Sequence, residues 1–329
     1  MTIVRWGILS TADIARTQLI PAFNRVKNAK VLAISSLSGK ASEVARSFDI
    51  PKAYDSYDEM LKDSELDAIY IPLPNHLHKK WAIKAMEHGK HVLCEKPAAL
   101  NAQETAEIVD AVQKNNVKFM EGFMYQFHPQ HQRVRDIIAS GEIGEVKFMR
   151  VAFSFYLDQQ GNIRTDKNKG GGSIYDIGCY CLHAIRNVLE SDIKKVEVSS
   201  QLDAATGVDM SAIGNIKLEN GVTAIFDCSM EMSFRQEYEI VGTKGRILVP
   251  RAFRPDVHGG EGLIIIQKEH EERMERLFGD IYALEVEHFS RAILEDQAPF
   301  NSLENTLSNM AAIDACYQSI SKSRNHVFY

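Results

Sequence analysis

The chain has 329 residues, 45% hydrophobic and 25% charged, with a formal net charge of −6. That is enough apolar material for two cores without metal or disulfide staples. The acidic balance excludes a phosphate-backbone binder, which needs a concentrated basic face. Its five cysteines include no CxxC pair, and four of them stand among apolar residues, which suits a reducing compartment. The opening Met1-Thr2-Ile3-Val4-Arg5-Trp6-Gly7 lacks the long apolar stretch of a signal peptide, and no run approaches the ~20 apolar residues of a membrane helix. A cytoplasmic location is expected.

Taken in chain order, residues 1–122 alternate between two periodicities. Short apolar runs at 3–9, 30–36, 66–71, 91–94 and 117–121 read as buried strands. Helical stripes separate them: Ala15, Leu19, Ala22 and Val26; then Val44, Ala45 and Phe48; then Trp81, Ala82, Ala85 and Met86, closed by Gly89. Asn101 with Glu104 resembles a capping pair ahead of Ile108, Val109 and Val112. Strands alternating with helices predict a parallel sheet covered on both faces.

The first strand runs into Gly7-Ile8-Leu9-Ser10-Thr11-Ala12-Asp13-Ile14-Ala15, where a dinucleotide-binding domain places its phosphate turn. Ser10, Ala12 and Ala15 hold the slots usually given to glycine. Small residues still let backbone amides approach a pyrophosphate at a helix N-terminus, which makes Ser10, Thr11, Ala12 and Ile14 candidate contacts. After the second strand comes Ser35-Ser36-Leu37-Ser38-Gly39-Lys40, with no acid to take a ribose hydroxyl. Ser36, Ser38 and Lys40 suit a phosphate, so NADP is expected over NAD. A plain polar loop with a solvated lysine is the competing reading.

Beyond residue 123 the pattern changes. A long strand is predicted at 146–156 and a helix at 175–189. Strands follow at 194–202, 210–218, 222–230, 237–241, 246–249 and 263–267, with Asn220-Gly221 as a hairpin signal. Helices return at 282–294 and 303–321. The prediction is a doubly wound domain, 1–122, followed by an α+β domain with an open antiparallel sheet, 123–329, and an active site between them. Apolar strand positions Ile213, Ile216, Leu218, Ile225, Ile247 and Val249 suggest a second sheet face that pairs copies into dimers or tetramers.

Four segments carry the chemistry: Pro72-Leu73-Pro74-Asn75-His76-Leu77-His78, Cys94-Glu95-Lys96-Pro97, Glu121-Gly122-Phe123-Met124-Tyr125-Gln126-Phe127-His128-Pro129, and Gly170-Gly171-Gly172-Ser173-Ile174-Tyr175-Asp176-Ile177-Gly178-Cys179-Tyr180. Together, in this order, they resemble the glucose–fructose oxidoreductase / inositol dehydrogenase (Gfo/Idh/MocA) family, and within it the dihydrodiol dehydrogenase and NADP-dependent D-xylose dehydrogenase branch. The resemblance implies a hydride-transferring oxidoreductase acting on a sugar, polyol or dihydrodiol. It makes Lys96 the catalytic lysine, with Glu95 and Pro97 shaping its turn through a cis peptide. It makes Asp176 the substrate aspartate. Pro72, Pro74, Asn75 and His78 would border the nicotinamide, and Tyr125, His128, Tyr156, Arg164 and Tyr175 the substrate. Tyr180 replaces the histidine of inositol dehydrogenases, as in the dihydrodiol branch. Gln126 and Leu37 replace arginines common there.

Residue physics runs alongside. Asp176 and Tyr180, four apart, share a helix face with His183 near by; a solvent-facing helix side, or a tyrosine ring in the core, would look the same. An unperturbed tyrosine titrates near ~10, and bringing it to ~7 takes about 4 kcal/mol. A lysine ammonium ~4 Å away supplies about that at an effective dielectric of 20. His76, His78, Cys179, Cys181 and His183 lack the spacing of a zinc site, so no metal is expected. A nucleotide sensor need not keep Lys96, Asp176 and Tyr180 together, and an isomerase or lyase would hold its cofactor tightly through turnover.

Overall fold

The computed structural model describes residues 3–158 and 161–323. The chain divides into two compact units, Met1–Met124 with Tyr282–Leu307, and Tyr125–Ile281 with Ser308–Tyr329.

The first unit is built on six parallel strands: β1 (Val4–Leu9), β2 (Ala29–Ser35), β3 (Lys52–Tyr54), β4 (Ala68–Ile71), β5 (His91–Glu95) and β6 (Phe119–Gly122), in the order β3-β2-β1-β4-β5-β6. Every residue of β4 is buried, as expected of a central strand covered on both faces. β3 adds a sixth strand to the five predicted; three partly exposed residues at a sheet edge carry no apolar run to read. The helix Ala102–Asn115 begins as its sequence indicates: Asn101 Oδ1 accepts from the Glu104 amide at 2.8 Å, and Glu104 Oε2 from the Leu100 amide at 3.1 Å. Five strands, their helices and the parallel sheet were thus legible.

The helix Ile281–Leu294 changes the expected assignment of the chain's end, since residues from Tyr282 belong to the first unit. Its apolar side seeks Trp6, which is fully buried; Trp6 Nε1 donates to Ser290 Oγ at 3.2 Å, and its ring lies 5.3 Å from Phe23 and 5.8 Å from Phe289. Burying such side chains is worth on the order of 2–3 kcal/mol each. Asn301 Nδ2 then donates to the Glu121 carbonyl at 3.1 Å, fastening the same segment to β6.

The second unit is an eight-stranded sheet of β7 (Val146–Tyr156), β8 (Ile193–Leu202), β9 (Asp209–Leu218), β10 (Thr223–Ser229), β11 (Glu231–Gly242), β12 (Arg246–Val249), β13 (Glu261–Lys268) and β14 (Glu271–Phe278). Their order is β14-β13-β12-β11-β7-β10-β9-β8, antiparallel except for β7 beside β10. Gly221, at φ +88°, makes the predicted hairpin between β9 and β10. β14 was not predicted: Glu271-Glu272-Arg273-Met274-Glu275-Arg276-Leu277-Phe278 alternates but is mostly charged.

Register separates the faces. Val151, Phe226, Tyr238, Ile240, Ile247 and Val249 lie on the buried face, where the helix Cys179–Val188 packs on β7 and β10. Ile216 and Leu218 also point inward and are 2% and 0% exposed, so four of the six residues expected on the open face are core. Side chains two apart share a face, which Ile213, three before Ile216, does not. The open face instead presents Ile213, Ile225, Met274 and Phe278.

Candidate active site

In the first unit, the carboxyl ends of all six strands share one edge, and strand order reverses between β1 and β4. Open parallel sheets bind ligands outside such a switch point. Ser10 follows β1 there with φ +109°, its amide donating to the Ser35 carbonyl at 2.9 Å and its hydroxyl accepting from the Ala12 amide at 3.1 Å. Thr11 and Ala12 are half-buried, as is Ile14, and the helix that continues through Ala15–Leu19 starts at this turn. A chain of hydroxyls extends across to the end of β2: Thr11 Oγ1 lies 3.4 Å from Ser36 Oγ, which lies 2.9 Å from Ser38 Oγ. Ser36 is buried, while Ser38 and Lys40 are exposed.

After β4, Pro72 is buried and Pro74 and Asn75 half-buried. His78 is fully buried, with Nδ1 and Nε2 each 2.7 Å from a main-chain carbonyl, of Pro97 and Leu73 respectively. Burial outweighs those carbonyls and pushes the imidazole down to about 4. His78 therefore ties the β4 loop to the β5 turn and has no ring nitrogen left for a ligand, which corrects the sequence expectation. The neighbouring His76 does: its Nδ1 is buried and has no hydrogen-bond partner among the described residues.

Glu95 and Lys96 are half-buried at the end of β5, and the Lys96–Pro97 peptide is cis. What holds this turn has no signature in the residue pattern. Tyr70 of β4, fully buried, donates to Glu95 Oε1 at 2.6 Å, a charge-assisted length. Burial, then the Glu95 charge, pushes the Tyr70 phenol up. Glu285, 2% exposed, has its carboxyl pushed up by burial and then by the charge of Glu95. A positive-φ turn of small residues at the switch point, the hydroxyl chain and the orphaned His76 nitrogen fit a phosphorylated dinucleotide. Among the described residues, no three His, Cys, Asp or Glu side chains are grouped to hold a metal.

In the second unit, Ile174–Gly178 is a π-helical segment that continues as the helix Cys179–Val188. Asp176 stands in the first, Tyr180 in the second. Arg164 Nε donates to Asp176 Oδ2 at 2.7 Å, joining two of the predicted substrate residues. Tyr180 is 5% exposed, with ring centres of Phe153, Phe253 and Tyr125 at 5.4, 5.7 and 5.8 Å. Tyr125 is itself buried, its hydroxyl 2.6 Å from His183 Nδ1. His128 caps the helix Pro129–Ala139: Nδ1 accepts from the Gln130 amide at 3.2 Å, and Nε2 donates to the Gly260 carbonyl at 3.0 Å. Both nitrogens are engaged, so His128 is corrected from a ligand contact to a cap. Tyr156, 68% exposed, ends β7 on the open sheet face, away from the face that packs Tyr180; it too is corrected, because strand parity sets its direction. Sequence reasoning missed Asp209, 2% exposed, whose carboxylate accepts from the Ile174 amide (2.7 Å), Ser173 Oγ (2.9 Å) and Tyr317 Oη (2.9 Å).

Comparison with known proteins places this geometry in context. Residues 4–123 match the oxidoreductase family with an NAD-binding Rossmann fold, GFO/IDH/MocA, and residues 131–248 match the GFO/IDH/MocA C-terminal domain. An NADP-dependent D-xylose 1-dehydrogenase of Haloferax volcanii is 36% identical over 322 residues, covering 95% of this chain and 96% of the relative. A trans-1,2-dihydrobenzene-1,2-diol dehydrogenase of Xenopus tropicalis is 28% identical over 331 residues, covering 96% and 98%. Among solved structures, a 3-ketoreductase from Actinomadura kijaniata in complex with NADP and TDP-benzene superposes with a TM-score of 0.92 at 28% identity, covering 97% of this chain and 98% of that one.

Proposed function

Because this chain belongs to the Gfo/Idh/MocA oxidoreductase family, we propose that it moves a hydride between NADP(H) and a carbinol or carbonyl carbon of a sugar, polyol or dihydrodiol. The observation that carries this reading is the Glu95-Lys96 turn at the ligand-binding edge of a doubly wound sheet, braced from within by Tyr70 and His78. The relatives' names, a sugar dehydrogenase, a dihydrodiol dehydrogenase and a sugar ketoreductase, supply the substrate class.

The nicotinamide supplies or accepts the hydride. Ser10, Thr11 and Ala12 would hold its pyrophosphate, and Ser36, Ser38 and Lys40 the 2′-phosphate. Oxidising an alcohol needs a base at the hydroxyl, and the reverse reaction needs an acid at the carbonyl oxygen. Tyr180 takes that part, Asp176 with Arg164 holds a neighbouring substrate hydroxyl, and Lys96 steadies charge on the reacting oxygen.

The test is a screen of aldoses, anhydroketoses and diols with both cofactors, followed by Tyr180→Phe on the best substrate. Turnover should fall ~100-fold or more, a typical general acid–base contribution, with NADPH binding retained. Near-normal turnover in that variant would leave Lys96 as the proton carrier. No cofactor consumption with any substrate would favour a sensor.

A further inference from the structure

Asp176 does not stand as a lone carboxylate. Its side chain is 14% exposed and is clamped by Arg164. Arg164 is fixed in turn. Its amide donates to Asn162 Oδ1 at 3.0 Å, its carbonyl accepts from the Gly172 amide at 2.9 Å, and its guanidinium lies 5.8 Å from the Phe155 ring centre. A Cβ on Gly171 would come within 2.5 Å of the Arg164 carbonyl oxygen, so the glycine run is what lets the Arg164 loop lie against the Asp176 segment.

Tyr180 stands four residues beyond Asp176, walled by the rings of Phe153, Phe253 and Tyr125. A phenol among apolar walls is a poor acid, because burial disfavours the phenolate. Arg164 is bonded to Asp176, which stands four residues before Tyr180, and its guanidinium lies over Phe155, two residues along β7 from the Phe153 ring that meets Tyr180. Tyr125, bonded to His183, packs against the Tyr180 ring as well. Arg164 is the fixed cation of that set.

We propose that Arg164 is a positioning residue for the acid–base tyrosine: held by Asp176, its guanidinium stabilises the Tyr180 phenolate, while the Asp176 carboxylate opposes it. The guanidinium is raised above its ordinary range first by the charge of Asp176, with Tyr180 adding in the same direction. That attraction is mutual, so the cation must favour the phenolate in return. In the oxidative direction the substrate O–H bond breaks and its proton passes to the Tyr180 phenolate oxygen, while the carbinol C–H bond breaks and the C–O bond becomes a carbonyl. A bound oxidised nicotinamide would accept the hydride released from that carbon. This inference rests on Tyr180 being the proton carrier, and it makes Arg164 a source of tyrosine activation inside the second unit.

The experiment is the pH dependence of kcat for oxidation by the full chain, in wild type, Arg164→Met, Arg164→Lys, Asp176→Asn and Tyr180→Phe. Loss of the cation should move the acid limb up by about one pH unit or more. Arg164→Lys should move it less, and Asp176→Asn should move it down. A second readout needs no turnover: the ultraviolet phenolate signal present in wild type and missing in Tyr180→Phe should titrate at higher pH in Arg164→Met. Shifts of opposite sign support the proposal, since a merely structural role moves both variants alike or neither. Unmoved limbs with an inactive Tyr180→Phe overturn it while leaving the tyrosine's role standing. An active Tyr180→Phe overturns the reading beneath it. If Arg164→Met does not fold, Arg164→Lys against Asp176→Asn decides by the same signs.

Discussion

Ser10 keeps the backbone of a glycine, φ +109°, without being one. Such a conformation costs on the order of 1–3 kcal/mol in a residue with a side chain, and its place in the phosphate turn is where that strain has a use. The loop at the end of β2 is a matching specialisation: hydroxyls of Thr11, Ser36 and Ser38 in sequence, with exposed Lys40 beyond them. Lys40→Ala should weaken NADPH binding about 5- to 20-fold and NADH binding little, the difference being one ion contact of roughly 1–2 kcal/mol. Fluorescence titration with both cofactors measures this, and a wild type that prefers NADH would show the serines to be ribose contacts. At this scale the sequence was read well where a residue type has one use and poorly where it has two. His78 and His128 looked like ligand contacts because a histidine's partners are main-chain carbonyls and amides, which no sequence pattern announces.

Among elements, the start of the Asp176 segment is the most tightly specified. Gly172 has φ +128°, and a Cβ there would lie 2.2 Å from Asp209 Oδ1 and 2.9 Å from the Tyr317 hydroxyl. Gly172→Ala should therefore break the Asp209 latch, cost about 1–3 kcal/mol as overpacking does, and lower kcat at least ~10-fold with NADPH affinity unchanged. Urea unfolding and steady-state kinetics on one preparation check both halves; a variant with wild-type kcat would show the latch to be dispensable. The glycine run was visible in the sequence, but its purpose was not. Asp209 starts a strand, and its donors come from residues 173, 174 and 317, so only the folded chain assembles them. β14 escaped notice for a related reason. Its charges on the helix-covered side find partners elsewhere, Arg273 on Glu142 and Glu275 on Arg133, and a strand stabilised by such pairs shows little hydrophobic signal. The long periodic elements, β7 and the helix Ala102–Asn115 among them, were legible because burial on one side writes itself into the spacing.

At the scale of the whole molecule, two buried imidazoles set an acid limit. His78 and His131 are held neutral by burial, at about 4 and about 3. Both values lie below the unfolded 6.5, so the unfolded chain takes up protons first as pH falls. Stability is full above about 6.5 and is lost on the way down to about 4 for His78 and about 3 for His131. For His78 the drop is worth about 3 kcal/mol at 1.36 per pH unit. Urea midpoints between pH 7 and 4 should fall accordingly, less steeply in His78→Gln after its own lost contacts are subtracted. The open face of the second sheet bears on assembly, since Ile213, Met274 and Phe278 are 57%, 54% and 68% exposed. Apolar surface of that kind suits burial against a second copy in a symmetric oligomer. Light scattering should give a dimer or tetramer, and Ile213→Asp with Phe278→Asp a monomer; a monomeric wild type at micromolar concentration would contradict this. Finally, Trp6 finds its hydrogen-bond partner at Ser290, 284 residues later. The domain that leaves the ribosome first is thus not finished until Tyr282–Leu307 has been made. Its nucleotide turn is synthesised early, yet the helix that closes over Trp6 arrives after the whole eight-stranded sheet. A nascent chain must carry an open first domain, with Trp6, Phe23 and the back of β1 uncovered, through most of its synthesis. Premature termination near residue 280 would leave both domains incomplete, because the same C-terminal stretch completes each of them in turn.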